Sequence, residues 1–107
     1  MTYIIVLMAT SNKKEAESIT HQLLEDRLIA CANILGSVSS LFWWKEKIEQ
    51  ENESLVLMKS NEKLFKPLVQ RIKELHSYEV PEILAIPIVA GSESYLSWMK
   101  INLETVK

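Results

Sequence analysis

Apolar residues recur along this chain in two rhythms, and the rhythms alternate in a definite order. Tyr3 to Ala9 (YIIVLMA) is an almost unbroken apolar run rich in β-branched residues, which predicts a strand buried on both faces. Thr10-Ser11-Asn12 stops it. Asn12 with Glu15 three places on has the form of a helix capping box. Ala16, Ile19, Leu23 and Arg27, flanked by Leu24 and Leu28, keep helical spacing, so a helix is predicted to about Leu28. Ala30 to Trp44 (ACANILGSVSSLFWW) reads as a long strand with a bend or bulge at Gly36. Lys47 to Lys59 (KIEQENESLVLMK) is its return partner. A turn at Lys45-Glu46 sets Trp44 opposite Lys47, Trp43 opposite Ile48 and Phe42 opposite Glu49. Lys-Glu is poor chemistry for such a turn, which favours Gly or Asn at positive φ.

Ser60-Asn61 is read as the cap of a second helix with Leu64, Leu68, Ile72 and Leu75 as its buried stripe. Pro67 lies inside that stripe and must distort the first turns or mark a late start. Glu82 to Ala90 (EILAIPIVA) is a fourth strand, and Pro87 within it argues for a sheet edge. Ser92 caps a third helix carrying Tyr95, Leu96, Trp98, Met99 and Leu103. The order is βαββαβ plus a terminal helix. This predicts an α+β, ferredoxin-like sandwich in one domain over residues 1–107, with the first and third strands central and the second and fourth at the edges.

The long hairpin predicts assembly. Its arms of 15 and 13 residues far exceed the usual strand of about 5–6. Their outer half carries Leu41, Phe42, Trp43, Trp44 and Ile48 beyond the expected core. An exposed apolar two-stranded arm is unstable alone. Pairing with further copies of the chain under rotational symmetry covers it, with Phe42, Trp43 and Ile48 at the expected interface.

Composition narrows the function. Twelve Lys and Arg stand against fourteen Asp and Glu, a net charge of −2, so no basic field exists to attract nucleic acid or anionic lipid. The third strand is acidic where an RNA-binding sheet needs exposed aromatics among basic residues. The longest apolar run is far shorter than the roughly 20 residues that span a bilayer. One cysteine and two histidines cannot build a full Cys/His zinc site. A free thiol and no basic leader at the start predict a cytoplasmic setting. Gly36 and Gly91 lie too far apart for a phosphate-cradling loop. Only Arg27 and Arg71 are available for a phosphate cradle, both on predicted helices, and no nucleophile–base–acid set assembles, so an enzyme is not expected.

Several segments carry a resemblance. They are Ala30-Cys31-Ala32-Asn33-Ile34, Trp44 followed by Glu51, Glu53 and Lys59, His76-Ser77-Tyr78-Glu79-Val80-Pro81-Glu82-Ile83, and Tyr95-Leu96-x-Trp98. Together, in order and at natural spacing, they resemble the CutA divalent-cation-tolerance family across essentially the whole chain. The resemblance implies a ferredoxin-like homotrimer whose hairpins pair between subunits. It implies an architecture similar to the nitrogen-regulatory PII proteins, which bind small ligands between subunits. It also implies a response to metal ions, with copper as the usual metal. The chain departs from the family pattern at Ser77, where proline is usual, and at Glu46, where glycine is common. It departs again at Met8, where some members carry cysteine, and at Leu75, where some carry a second histidine.

Two sets of site residues follow. His76 and Glu79 are the expected ligands for copper or another divalent ion, because imidazole is a good ligand for such metals. A histidine at a helix C-terminus is equally favoured by the helix dipole. Trp44, Lys59, Tyr78 and Glu82 are the expected lining of a cleft for a small ligand or partner. Cys31, in Ala-Cys-Ala, suits a small buried residue and could also bind a soft cation. Glu49, Glu51 and Glu53 alternate and so share one strand face. Three carboxylates in a row can hold hard cations or form a solvated strip.

Overall fold

The structure is a computed structural model and describes residues 2–104. The first apolar run forms β1 (Tyr3–Thr10), and its burial alternates. Ile4, Val6 and Met8 enter the core with Ala16, Ile19 and Leu23 from the helix that follows. Tyr3, Ile5 and Leu7 on the opposite face are only half-buried. The expected cover on both faces is thus met on one, because the helices supply core residues to that side alone.

The first helix, α1 (Lys13–Glu25), starts at Asn12, whose Oδ1 accepts the Glu15 N–H at 2.8 Å. Glu15 reaches back to Ser11 rather than to Asn12, accepting its N–H at 3.3 Å and its hydroxyl at 3.1 Å. The helix ends three residues before the expected Leu28. Arg27 takes a left-handed φ of 61°. Its N–H donates to the Leu24 carbonyl and that of Leu28 to the Leu23 carbonyl, both at 3.1 Å. This pair of bonds is the Schellman ending, and it turns Leu28, Ile29 and Ala30 into the core.

Strands β2 (Cys31–Trp44) and β3 (Lys47–Asn61) form the long hairpin. Trp44 faces Lys47, Trp43 faces Ile48 and Phe42 faces Glu49, as the sequence predicted. Lys45 and Glu46 hold φ values of 48° and 65°, the positive values a two-residue hairpin turn demands. A register shift between Leu35 and Ser37 marks the expected bulge. A Cβ on Gly36 would meet nothing within 4 Å, and its φ is not positive, so the bulge does not require glycine.

A short 3-10 turn (Glu62–Leu64) leads into α2 (Phe65–Leu75). Asn61 alone caps the turn, accepting the Leu64 N–H at 3.0 Å, while Ser60 donates its hydroxyl to the Leu28 carbonyl at 2.7 Å. Pro67 falls in the first turn of α2, where a backbone N–H has no helical partner to lose. Strand β4 (Ile83–Pro87) is shorter than predicted and ends on its proline. The last helix, α3 (Glu93–Asn102), is capped by Ser92 and buries Met99.

The sheet order is β2-β3-β1-β4, and every neighbouring pair is antiparallel. The central and edge positions are those the apolar pattern predicted, and the fold is mixed α+β. One sheet face carries the core. On the other, Ile5 pairs with Ile86 and Leu7 with Leu84 and Leu57, and Leu84 and Ile86 are exposed.

β1 reaches only to Thr10, opposite Ser54. Beyond that point the hairpin is a two-stranded ribbon. Directly paired residues share a face, so the register gives this ribbon two unlike sides. Leu41, Trp43 and Ile48 share one side and are 68%, 70% and 65% exposed. Phe42 and Trp44 share the other with Glu49, Glu51 and Glu53. Of the three residues expected at a subunit interface, Trp43 and Ile48 therefore stand together, and Phe42 turns away from them.

Candidate functional site

Under the second side of the ribbon lies a cleft of about 980 Å³, closed on its far wall by the loop from Ser77 to Glu82. Two elements meet here for separate local reasons. The alternation of β3 places Glu49, Glu51 and Glu53 on one face, and the end of α2 at Leu75 sends the chain across the mouth of β1. Glu79 and Glu82 join the strand carboxylates, so among the described residues five acidic side chains and no Lys or Arg line the cleft. Phe42, Trp44 and Tyr78 supply aromatic walls. Lys45 lies at the tip, its Nζ 6.0 Å from the Trp44 ring. That places its ammonium at the outer limit of a cation–π contact.

His76 does not line this cleft. It caps the end of α2 and is 8% exposed. Its Nδ1 accepts the Tyr78 N–H at 3.0 Å, which assigns the ring proton to Nε2. Nε2 lies 2.8 Å from the Ala9 carbonyl and donates to it. Neither nitrogen has a lone pair to offer a metal in this arrangement. The expected His76–Glu79 ligand pair thus gives way to a positioning role, in which His76 pins the cleft's far wall to the end of β1. Glu79 is exposed on that wall.

Tyr78 is the hinge between wall and ribbon. Its ring lies against His76 with centroids 4.7 Å apart, and its hydroxyl donates to Glu53 Oε2 at 2.7 Å. Burial pushes the Tyr78 phenol well above its ordinary range, and the Glu53 hydrogen bond and the nearby Glu15 and Glu51 charges push the same way. Glu53 itself is 7% exposed. Glu15 anchors the loop from behind, accepting the Ser77 N–H at 2.8 Å. Burial raises the Glu15 carboxyl, but hydrogen bonds from Ser77 and Ser11 outweigh it and hold the group below its usual range.

Of the expected cleft residues, Trp44, Tyr78 and Glu82 come together, and Lys59 does not. Lys59 pairs with Cys31 near the other end of β3, six residues or about 20 Å along the strand from Glu53. Its ammonium contacts Asn33 Oδ1 and lies 3.6 Å from Cys31 Sγ. Cys31 is half-buried there. Burial and a hydrogen bond with that thiol raise the Tyr95 phenol. Glu15 and Glu53 are the residues the sequence underrated. The alternating glutamates were visible, but the burial of one of them was not.

Among the described residues no three His, Cys, Asp or Glu side chains converge as a metal cluster. The donors that face the cleft are carboxylates, which suit hard divalent ions that keep part of their water. Among the described residues no soft or imidazole-rich copper set is assembled. No described helix is long and apolar enough to cross a membrane.

Comparison with known proteins agrees with this architecture. The chain is 32% identical over 97 residues to the chloroplastic protein CutA of Arabidopsis thaliana, covering 91% of this chain and 53% of that one. It thus spans about half the length of that plant relative. It is 38% identical over 98 residues to the divalent-cation tolerance protein CutA of Thermus thermophilus, covering 92% of this chain and 95% of that one. The crystal structure of CutA1 from Oryza sativa superposes with a TM-score of 0.96 at 31% identity, over 99% of this chain and 97% of that one. The family described as CutA1 divalent ion tolerance protein matches residues 4–102. With the long hairpin, the His76–Tyr78 loop and the sheet order all in place, the chain belongs to the CutA1 divalent ion tolerance family.

Proposed function

We propose that this chain acts as a ferredoxin-like homotrimer in the response to divalent metal ions, and that the acidic cleft is where the ion is held. The observation that carries this reading is the lining: five carboxylates and, among the described residues, no Lys or Arg. Such a surface concentrates cations through its field. A divalent ion, copper(II) included, sits there on Glu79, Glu82 or the strand glutamates and keeps water in its remaining positions. Binding of this kind is modest in strength and weakened by salt. It suits buffering of an ion rather than turnover of a substrate, so no catalytic role is assigned.

The trimer is supported by two uncovered apolar surfaces, the Leu41–Trp43–Ile48 side of the ribbon and the Leu84–Ile86 side of the sheet. Contiguous patches of this sort mark interfaces. A free thiol at Cys31 suits a cytoplasmic setting.

The test is a calorimetric titration with Cu(II) and with Mg²⁺, with light scattering on the same samples. Saturable binding that is weakened in Glu49→Gln and Glu51→Gln and kept in His76→Gln is expected. Binding that survives both glutamate changes, or is lost in His76→Gln while the fold is intact, overturns the assignment of the site.

A further inference from the structure

The two hydrogen bonds of the His76 ring hold together only for a neutral imidazole. Nε2 donates to the Ala9 carbonyl at 2.8 Å, and Nδ1 accepts the Tyr78 N–H at 3.0 Å. A proton added to this ring can go only to Nδ1. There it meets the Tyr78 N–H, so two donors oppose each other where one bond stood. The ring is 8% exposed, and opposed donors with so little solvent contact are costly unless one of them moves.

The Tyr78 N–H is the one that can move. Glu15 accepts the Ser77 N–H at 2.8 Å, and Tyr78 is fixed by its own N–H and by its hydroxyl on Glu53. Past that point the wall is loosely held. Among the described residues no backbone–backbone hydrogen bond reaches the stretch from Glu79 to Glu82. Pro81 has no N–H to give, and Glu79 and Val80 are exposed. A segment with so few bonds and buried contacts opens at small cost. The Ala9 end is different, because β1 is paired on both sides.

The groups around the ring favour its charge even as the geometry refuses it. β1 presents the Ala9 carbonyl and no charged side chain. Glu15 comes from α1 on the Ser77 N–H. Glu53 comes from β3 on the Tyr78 hydroxyl, with Glu51 near the same phenol. The loop adds the Tyr78 ring, 4.7 Å from the imidazole between centroids, and the exposed Glu79. On α2 itself Lys73 and Glu74 are exposed, and Glu74 faces Arg71.

From this geometry we infer that His76 is a pH-operated clasp, whose neutral ring holds the Ser77–Glu82 wall shut and whose protonation at Nδ1 releases it. The shut wall leaves the ring unprotonated and the open wall lets it take a proton. Closure is therefore favoured at higher pH and lost as the pH falls. Imidazole is the side chain that ordinarily titrates between about pH 5 and 8. Glu15 is held below its usual range, so it stays ionised through that window and does not supply the response. The clasp acts on the loop whatever the cleft binds.

The test is NMR on the ¹⁵N-labelled full chain in buffer freed of metal ions, from about pH 7.5 to about pH 5.5. Histidine ring nitrogens and amide-exchange protection factors, which divide out the intrinsic pH dependence of exchange, are recorded together. At the upper pH His76 is expected as the Nε2–H tautomer. At the lower pH the Tyr78 amide is expected to lose about tenfold in protection, with the same midpoint as the His76 ring, while Val6 in β1 is unchanged. His76→Gln, which has a donor and an acceptor but no titrating proton, is expected to keep the Tyr78 amide protected at both pH values. Glu15→Gln and His21→Gln are expected to leave the response as in the parent. A ring that protonates with the loop still protected overturns the clasp, as does a loop that opens with a midpoint apart from the ring's. An undiminished response in His76→Gln, or its loss in Glu15→Gln, also overturns it. If His76→Gln does not fold, the two midpoints in the parent decide alone.

Discussion

The two halves of the long hairpin share one ladder and one turn, yet they are held for different reasons. In the inner half, Val56 and Met58 of β3 are fully buried against Val6, Leu68 and Ile72. There the strand is one layer of a core, and its geometry follows from packing on helices and on β1. In the outer half, no third strand among the described residues continues the sheet, and Leu41, Trp43 and Ile48 are mostly exposed. The contrast shows how alternation can be put to two uses. Inside, it separates core from surface. Outside, it separates an apolar side suited to another subunit from an acidic side that builds a cleft.

The contrast breaks first, and most severely, by a cavity. Leu68→Ala, at a side chain with no exposure, is expected to cost about 2–5 kcal/mol in urea unfolding. Trp43→Ala in the outer half is expected to leave the unfolding of the isolated subunit nearly unchanged. An equal loss in both would mean that the ribbon is part of the core after all.

Next in size is the hydroxyl that joins ribbon to loop. Tyr78→Phe leaves the buried Glu53 carboxylate without its donor, at an expected cost of about 1–3 kcal/mol. Amide exchange in Ser77–Glu82 should quicken while that of β1 does not. Unchanged exchange throughout would show that His76 and Glu15 hold the loop without help from the ribbon.

A smaller effect, of opposite sign, is expected at the tip. Lys45 and Glu46 each hold a left-handed conformation that costs a side-chain-bearing residue about 1–2 kcal/mol. Replacing the pair by Asn-Gly should stabilise the chain by up to about 1 kcal/mol in thermal unfolding. No gain would mean that the tip is frayed in solution and carries little of the fold.

The smallest effect concerns pH, in the inner region alone. The Arg71 guanidinium, 2.8 Å from Asp26, holds that carboxyl below its usual range. Glu15 is also lowered, by its serine partners. Both groups therefore bind a proton less readily in the folded chain than in the unfolded one. Their contribution is complete above the ordinary carboxylate pKa of about 4 and is lost as the pH falls through their lowered values. Asp26→Asn should flatten the fall in stability between neutral and strongly acidic solution. An unaltered slope would remove Asp26 from that account.

These features were unequally legible in the sequence. The hairpin register could be read despite a turn of unfavourable chemistry, because the alternating residues on either side leave little freedom for a slip. The end of α1 could not, since the left-handed residue that closes it is Arg27 rather than glycine. The role of His76 was hidden for a different reason. Its acceptor is the carbonyl of Ala9, 67 residues earlier, and a ring that looked available as a ligand is consumed by two backbone bonds. The buried carboxylate of Glu53 depends in the same way on Tyr78, 25 residues later. Local pattern carried the elements and their order, whereas the state of each polar site residue was set by partners distant in the chain.

The claim on which the rest depends is that the two sides of the outer ribbon are separable. Molar mass by light scattering on the parent chain, Trp43→Lys and Glu51→Gln tests it most directly. The account predicts a trimer for the parent and for Glu51→Gln, and a folded monomer for Trp43→Lys. Dissociation by both changes, or by neither, would contradict it.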